Sequence, residues 1–463
     1  MVFITLRKDS FRMKKIILVS FRLLALLLIS SPVVAQQSDT LRHWGIGASM
    51  SPGHLIVMDG YQRKFQKNTS TTAFSLELDY TPQPADGDPF AHDYNYPTFG
   101  FGIRLNRNNV TMHRKPNPAW GMIEEVGYDS RLGNIVTAYT TFTRPLLAWP
   151  RKASPAERRF EIDYMLGTGF SYAKHKYSQA DNIDNELIGS RVLIYFTAAT
   201  HATWHPAPSL ALFGGIEFYH HSNGALNRPN KGANFWGPVV GARLFPGQKA
   251  SAGDIRNQQS AAASCQQKAE KPLAMSRSER LGPFVSLSLG IGGKTLLEDW
   301  QLTQFNTSPS SPRYRTSHFR FYTAYSLHAD LMHRYARRWA SGIGIDAFYG
   351  TYAHRVREIE ENNLLGNARG LNVGPWSLGL ALKHHAYYGN LSLRMSLGYY
   401  LLRHMGSHAK TIEKPYYESI GLHYSFPKLG GMSIGASVNA HLTKADLTEI
   451  VLSYPFRLGP HNN

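Results

Sequence analysis

"AFSLELDY", residues 73 to 80, alternates without a break: Phe74, Leu76, Leu78 and Tyr80 fall on one side, Ser75, Glu77 and Asp79 on the other. Successive side chains of a strand point to opposite faces, so this stretch has one apolar face and one charged face. The pattern recurs along the chain. "RFEIDYML" (159–166) sets Phe160, Ile162, Tyr164 and Leu166 against Glu161 and Asp163. "FRFYTAYSLHADL" (319–331) sets Phe319, Phe321, Tyr325 and Leu327 against Arg320, Ser326, His328 and Asp330. "LSLRMSLGY" (391–399) sets Leu391, Leu393, Met395 and Leu397 against Ser392, Arg394 and Ser396. Aromatic faces opposed to charged ones over that length are the signature of strands with lipid on one side and a wet, polar lumen on the other. A soluble sandwich of short strands is the competing architecture, and it rarely sustains such an alternation.

Sixteen segments fit as strands: 43–50, 70–80, 96–106, 132–148, 158–173, 190–204, 208–222, 233–245, 282–295, 318–333, 339–352, 374–387, 390–403, 416–426, 431–441 and 446–457. After even-numbered strands the connections are mostly tight, as in "HPAP", "RYARR", "YGN" and "PKLG". After odd-numbered strands they are mostly longer and polar, as at 51–69, 107–131, 174–189, 296–317 and 353–373. Short turns on one side and long loops on the other are the pattern of outer-membrane barrels. The fold class is therefore all-β, a transmembrane antiparallel β-barrel. It has two ways of closing: about 16 strands in one wide barrel, or two eight-stranded units. One seam protects every strand edge in the wide barrel, and economy favours that form.

The N-terminus reads as a secretory signal over residues 1–35. Arg7, Lys8, Arg12, Lys14 and Lys15 precede the apolar "IILVSFRLLALLLISS", and "VVA" suits cleavage after Ala35. Arg22 interrupts the run, which disfavours a spanning helix, and Met13 offers a second start. Residues 247–281 are polar, lack aromatics and show no period, which predicts a periplasmic linker. It divides a barrel block at 36–246 from a second set of strands at 282–463. The linker carries Cys265, the chain's one cysteine, so no internal disulfide framework exists. The formal charge is +18, and six Lys or Arg against one Asp in the signal leave about +13 on the rest. That charge suits an anionic membrane surface such as phosphorylated lipopolysaccharide, and the signal argues against nucleic acid as a partner.

No His, Cys or carboxylate set has metal-ligand spacing, so neither metal nor cofactor is expected. "GIGGKT" (290–295) imitates a P-loop, but Ser288 stands where the first glycine is required, and the segment alternates as a strand. His384 and His385, with Tyr387 and Tyr388 beside a turn, suit an interfacial aromatic girdle.

"HHSNGALNRPNKGAN" (220–234) follows the apolar "SLALFGGIEFY". Leu210, Leu212, Ile216, Phe218, His220 and Ser222 share one parity, so His220 and Ser222 face lipid at the end of an upward strand. Residues i and i+2 on one face are near enough for an imidazole to bond a hydroxyl. The segment is either a polar hairpin turn or a nucleophile with its base.

The same segment resembles the active-site segment of the lipid A 3-O-deacylase family, outer-membrane barrels that remove an ester-linked acyl chain from lipopolysaccharide. That family carries His-x-Ser-Asn, then Pro-Asn, then Gly and a third catalytic residue. His220, Ser222, Asn223, Pro229, Asn230 and Gly232 match in type and spacing. The closing "SVNAHLTKADLTEIVLSYPF" (437–456) resembles the end of a longer branch, the acyloxyacyl hydrolases. The resemblance implies a serine esterase of the Gram-negative outer membrane with lipid A as substrate. Ser222 is then the nucleophile and His220 its general base. Asn223, by side chain or backbone N–H, and more weakly Asn230 would stabilise the oxyanion. The family's third residue is a glutamate; the corresponding position here is Asn234. Asparagine can accept from an imidazole N–H but lends the imidazolium no charge. Glu217 has the wrong parity to substitute. The family's members are single eight-stranded barrels, which cover only about residues 36–246. The alternative function is a porin-like or structural barrel without hydrolase activity, open to the chain if all strands enclose one water-filled lumen.

Overall fold

The computed structural model describes residues 43–115, 125–151, 153–246, 281–411, 413–442 and 444–458. The expected signal segment and the linker around Cys265 lie outside the described residues.

The first eleven strands are β1 (Trp44–Ile56), β2 (Gln66–Asn68), β3 (Ser70–Tyr80), β4 (Thr98–Asn108), β5 (Thr111–Met112), β6 (Ser130–Arg131), β7 (Ile135–Trp149), β8 (Phe160–Ala173), β9 (Val192–Ala207), β10 (Leu210–Ser222) and β11 (Ala233–Leu244). Eight of them close on themselves in the order β1-β11-β10-β9-β8-β7-β4-β3, while β2, β5 and β6 form a small sheet in the loops. The remaining strands are β12 (Gly282–Thr295), β13 (Phe321–Ala336), β14 (Trp339–Gly350), β15 (Val373–Tyr388), β16 (Leu391–Met405), β17 (Tyr416–Phe426), β18 (Met432–His441) and β19 (Lys444–Arg457). These close as a second barrel of eight.

The expectation of one wide barrel is thereby overturned. β11 returns to β1 with Ile46 opposite Leu244, and β19 returns to β12 with Ser288 opposite Ser453. The reason lies in the lumens. Eight strands make an interior just wide enough for side chains to fill, and here the inward faces fill it with paired charges rather than water. Arg104 donates through Nη1 and Nη2 to Glu217 Oε1 and Oε2 at 2.6 and 2.8 Å. Arg243 Nε lies 2.9 Å from Asp79 Oδ2, and His201 Nδ1 lies 2.9 Å from Asp163 Oδ1. In the second barrel Lys383 Nζ and Tyr417 Oη both donate to Asp346 at 2.6 Å. The cavity left beside them, between His328, Asp346, Lys383 and His423, is about 50 Å³, room for a few waters. A porin-like function loses its basis, because it required the strands to share one wide lumen.

The outward faces are as the alternation predicts. Phe74, Leu76 and Leu78 are 42, 43 and 45% exposed while Asp79 on the other face is 1% exposed. Among the described residues no helix is long and apolar enough to cross a membrane. Connections at one end of each barrel are mostly short, the helical segment 81–97 of the first barrel being the main exception, and those at the other end are mostly long, apart from 442–443.

The barrels touch at both ends. At the turn end Tyr388 Oη donates to Asp88 Oδ2 at 2.7 Å, and its ring meets those of Phe90 and Phe99 at 5.7 and 4.8 Å. The girdle expected of His384, His385, Tyr387 and Tyr388 is thus partly a joint: Tyr388 packs barrel to barrel, and His385 Nδ1 pairs with Tyr387 Oη at 3.1 Å. At the loop end Tyr177 Oη donates to Arg315 O at 2.6 Å, and its ring meets Trp300 at 5.0 Å.

Candidate functional site

β10 carries two adjacent histidines to the loop end, and strand alternation separates them. His221 points inward, where Nδ1 lies 3.0 Å from Ser171 Oγ and the ring lies 5.1 Å from Tyr195. His220 shares the outward parity of the exposed Ile216 and Phe218. The β10–β11 register puts His220 directly opposite Asn234, and His220 Nδ1 lies 2.6 Å from Asn234 Oδ1. With an amide oxygen as acceptor, Nδ1 holds the ring proton and Nε2 keeps its lone pair. Glu217 is on the inner face, bound to Arg104 and to Thr197 Oγ1 at 3.0 Å. Among the described residues Asn234 is the one side chain that hydrogen-bonds to His220.

Extending that register by one step sets Gly232 across from Ser222. Gly232 has φ +76°, and a Cβ there would lie 2.7 Å from His220 Cε1. Glycine is required twice over: for its backbone and for the space the imidazole occupies. Ser222 itself is buried, opposite Ile194 of β9. Among the described residues its hydroxyl has no hydrogen bond to His220.

Asn223 is used differently from the expectation. Its N–H donates to Asn230 Oδ1 at 3.0 Å, and its Nδ2 donates to Ser190 Oγ at 3.1 Å and Asn227 O at 3.0 Å. The donors expected to face an oxyanion are committed to bracing the 223–232 loop. Asn230 spends its oxygen on that brace and keeps its Nδ2 group as a donor.

Two further sets of residues hold this loop, and neither is signalled by the local sequence. The first comes from the same barrel. Lys231 Nζ pairs with Glu186 Oε2 at 2.7 Å and Asp59 Oδ1 at 2.9 Å, and Gly232 N–H donates to Leu187 O at 2.9 Å. Arg114 Nη2 adds a contact to Glu186 Oε1 at 2.6 Å, and its Nε lies 2.8 Å from Asp184 Oδ1. Burial pushes Glu186 up, but Lys231 and Arg114 outweigh it and hold the carboxyl below its ordinary range. Burial dominates for Asp184, whose carboxyl is raised despite Arg114. The second set comes from the other barrel. Thr448 Oγ1 donates to Gly224 O at 2.6 Å, Thr295 donates to Ala225 O through N–H at 2.9 Å and Oγ1 at 3.1 Å, and Arg228 Nε donates to Thr295 O at 3.1 Å.

Two clusters elsewhere imitate sites. In the second lumen Ser326 Oγ lies 3.0 Å from His328 Nε2, whose Nδ1 lies 2.7 Å from Asp346 Oδ1. Ser326 Oγ, however, donates to Glu449 Oε2 at 2.5 Å, so the histidine donates from both nitrogens and has no lone pair with which to act as a base. Glu413, His441 and Asp446 bring ligand atoms within 4.8 Å of one another. Lys294 already pairs with Asp446, and Arg403 Nη2 with Glu413 Oε2 at 2.5 Å, which leaves these carboxylates little charge to offer a cation.

The family model of lipid A 3-O-deacylase (PagL) matches residues 98–243, and that of the acyloxyacyl hydrolase C-terminal domain matches residues 284–458. No curated protein sequence matches the chain. Similar solved structures include the outer membrane enzyme PagL, at 10% identity over 43% of this chain and 98% of that one with a TM-score of 0.26. Neisserial surface protein A is similar at 8% identity over 44% of this chain and 96% of that one, TM-score 0.25. A mutant Rh. blastica porin is similar at 8% identity over 89% of this chain and 99% of that one, TM-score 0.15. The two family matches run over most of both barrels: the first barrel is similar to the lipid A 3-O-deacylase family and the second to the acyloxyacyl hydrolase C-terminal domain.

Proposed function

We propose that the protein is a lipid A deacylase of the Gram-negative outer membrane that hydrolyses an ester-linked acyl chain with Ser222 as nucleophile. The observation that carries this reading is the His220–Asn234 hydrogen bond on the outward face of β10, two residues from Ser222, within the segment that matches the deacylase family. The loop ends of the barrels face outward, where the outer leaflet's lipid A meets the rim.

The chemistry follows from the tautomer. Asn234 Oδ1 holds the proton on Nδ1, so Nε2 accepts the Ser222 hydroxyl proton as Oγ bonds to the ester carbonyl carbon. Collapse of the tetrahedral intermediate breaks the bond to the sugar oxygen, which takes the proton from Nε2–H. The acyl chain is then on Ser222. Water attacks the acyl-enzyme, gives a proton to Nε2, and releases the fatty acid as the proton returns to Oγ. Ser222 and His220 are not hydrogen-bonded in the resting structure. Such contacts often tighten only with substrate bound. Asn230 Nδ2 is the side-chain donor left for the oxyanion.

The test is mass spectrometry of lipid A from cells producing the protein, its Ser222→Ala variant, or neither. Loss of one acyl chain with the wild type alone supports the reading. Unchanged lipid A in all three would leave the family's barrel here as a structural protein.

A further inference from the structure

We infer that the second barrel holds the loop that follows Ser222 in its reactive arrangement, with Thr448 and Thr295 as positioning residues. The inference rests on the deacylase reading above and assigns the C-terminal domain a task in that reaction.

The loop that leaves Ser222 is strained. Gly224 and Ala225 have φ +63° and +69°, and a non-glycine residue in the left-handed region crowds its Cβ against the following carbonyl. Ala225 is also fully buried, at 0% exposure. Such a turn persists only when its surroundings over-determine it. At these two residues the carbonyls are held by the second barrel. Two consecutive carbonyls, Gly224 O and Ala225 O, each accept from that barrel's rim, at 2.6 Å from Thr448 Oγ1 and at 2.9 Å from the Thr295 N–H. Arg228 reaches back to Thr295 O at 3.1 Å, and its guanidinium is buried. Donor and acceptor thus run both ways across the joint. The grip reaches the site itself: a Cβ on Gly224 would lie 2.4 Å from Thr448 Oγ1 and 3.1 Å from Ile194 Cδ1, and Ile194 is the strand partner of Ser222. A single barrel of the family has no neighbour to supply these contacts, so its loop must be held by other means.

Thr448→Val removes the hydroxyl and keeps the side-chain shape, and Thr448→Ser restores the hydroxyl. Both are compared in the full chain, folded and heat-modifiable on gels, using detergent-dispersed lipopolysaccharide and hydrogen exchange of peptides covering 223–232. Thr448→Val should raise exchange in those peptides and lower kcat about tenfold with KM within twofold, because displacing a reacting group by a fraction of an ångström weakens orientation more than binding. Thr448→Ser should recover both. Unchanged exchange in Thr448→Val overturns the inference, and so does raised exchange with unchanged kcat while Ser222→Ala is inactive. Full activity of Ser222→Ala removes Ser222 as the nucleophile instead, and exchange alone then decides whether the second barrel holds the loop.

Discussion

Asn234 stands where the family's motif has glutamate, and its 2.6 Å bond to His220 defines what it can and cannot do. It fixes the tautomer but adds no negative charge beside the imidazolium that the proposed attack by Ser222 would create. Charge-assisted hydrogen bonds are roughly twice as strong as neutral ones. Asn234→Glu is therefore expected to raise kcat about tenfold, and Asn234→Ala to lower it less than loss of the base does. Ser222→Ala and His220→Ala should each abolish deacylation, to a similar extent because paired groups act as a unit. Ser209→Ala, in the turn below β10, should keep full activity on purified lipopolysaccharide, and loss of activity there would show that the assay reads folding. Gly232→Ala makes a sharper case. It puts a methyl 2.7 Å from His220 Cε1 at a φ of +76°, so the ring must move, and a shift near 1 Å costs on the order of a hundredfold in rate. Retention of activity in Gly232→Ala would place the base somewhere other than His220.

All sixteen barrel strands were legible in the sequence, because alternation between lipid and lumen is imposed residue by residue. β1 extends six residues beyond the expected end at residue 50. Pro52 and Gly53 look like turn signals, yet the strand runs on to Ile56. A Cβ on Gly53 would lie 2.4 Å from Trp236 O, so the glycine records the close approach of β11 rather than a turn. β2, β5 and β6 are two or three residues each, too short for any period. In the candidate site His220, Ser222, Asn234 and Gly232 were legible from motif and parity. Glu186, Lys231, Thr295 and Thr448 were not, since docking of distant loops brings them there. The loop elements carry their own pH dependence. Glu186 is held below its ordinary value of 4.5, so the stabilisation it gives the 230–232 strand entry is complete above that pH. It fades as acid takes the pH down through the lowered folded value. Asp184, shifted upward, pulls the other way and gains as acid neutralises it. Exchange protection of 223–232 in the wild type, corrected for the intrinsic rate, should therefore fall as acid takes the pH below the ordinary carboxylate range, and Glu186→Gln should flatten that fall. A wild-type loop equally protected at pH 3 and pH 7 would disconnect Glu186 from it.

At the scale of the whole molecule, charges buried in the lumens decide stability. Arg104→Met leaves Glu217 buried without its cation in the first barrel, a loss of about 3–5 kcal/mol. Adding Glu217→Met removes the stranded charge and should restore most of the lost denaturant midpoint. If the double variant is no more stable than the single one, the pair is not what fills that lumen. Topology has a separate test. β11 ends and β12 begins at the turn end of their barrels, so the linker holding Cys265 starts and finishes there. With the loops outward, an impermeant thiol reagent should fail to label Cys265 in intact cells and succeed once the outer membrane is opened. Ready labelling of intact cells would invert the orientation.

The two closing seams have a consequence for the order of assembly. The first joins positions about two hundred residues apart, Ile46 and Leu244, whereas one wide barrel would have had to join ends about twice as distant. Doubling a loop costs only about 0.6 kcal/mol in closure entropy, so chain entropy barely distinguishes the two designs. Time does. The first half can seal as soon as Leu244 is in place, and no unpaired strand then waits, open to wrong partners, for the second half to follow. The later seam sets Gly293 of β12 opposite Thr448 of β19, so the two threonines that grip the Ser222 loop lie on either side of it. On the clamp proposed above they come together only when the last strand has zipped to the first of its barrel. Hydrolysis is then tied to completion: a half-inserted chain carries the serine and the histidine but not the grip that arms them.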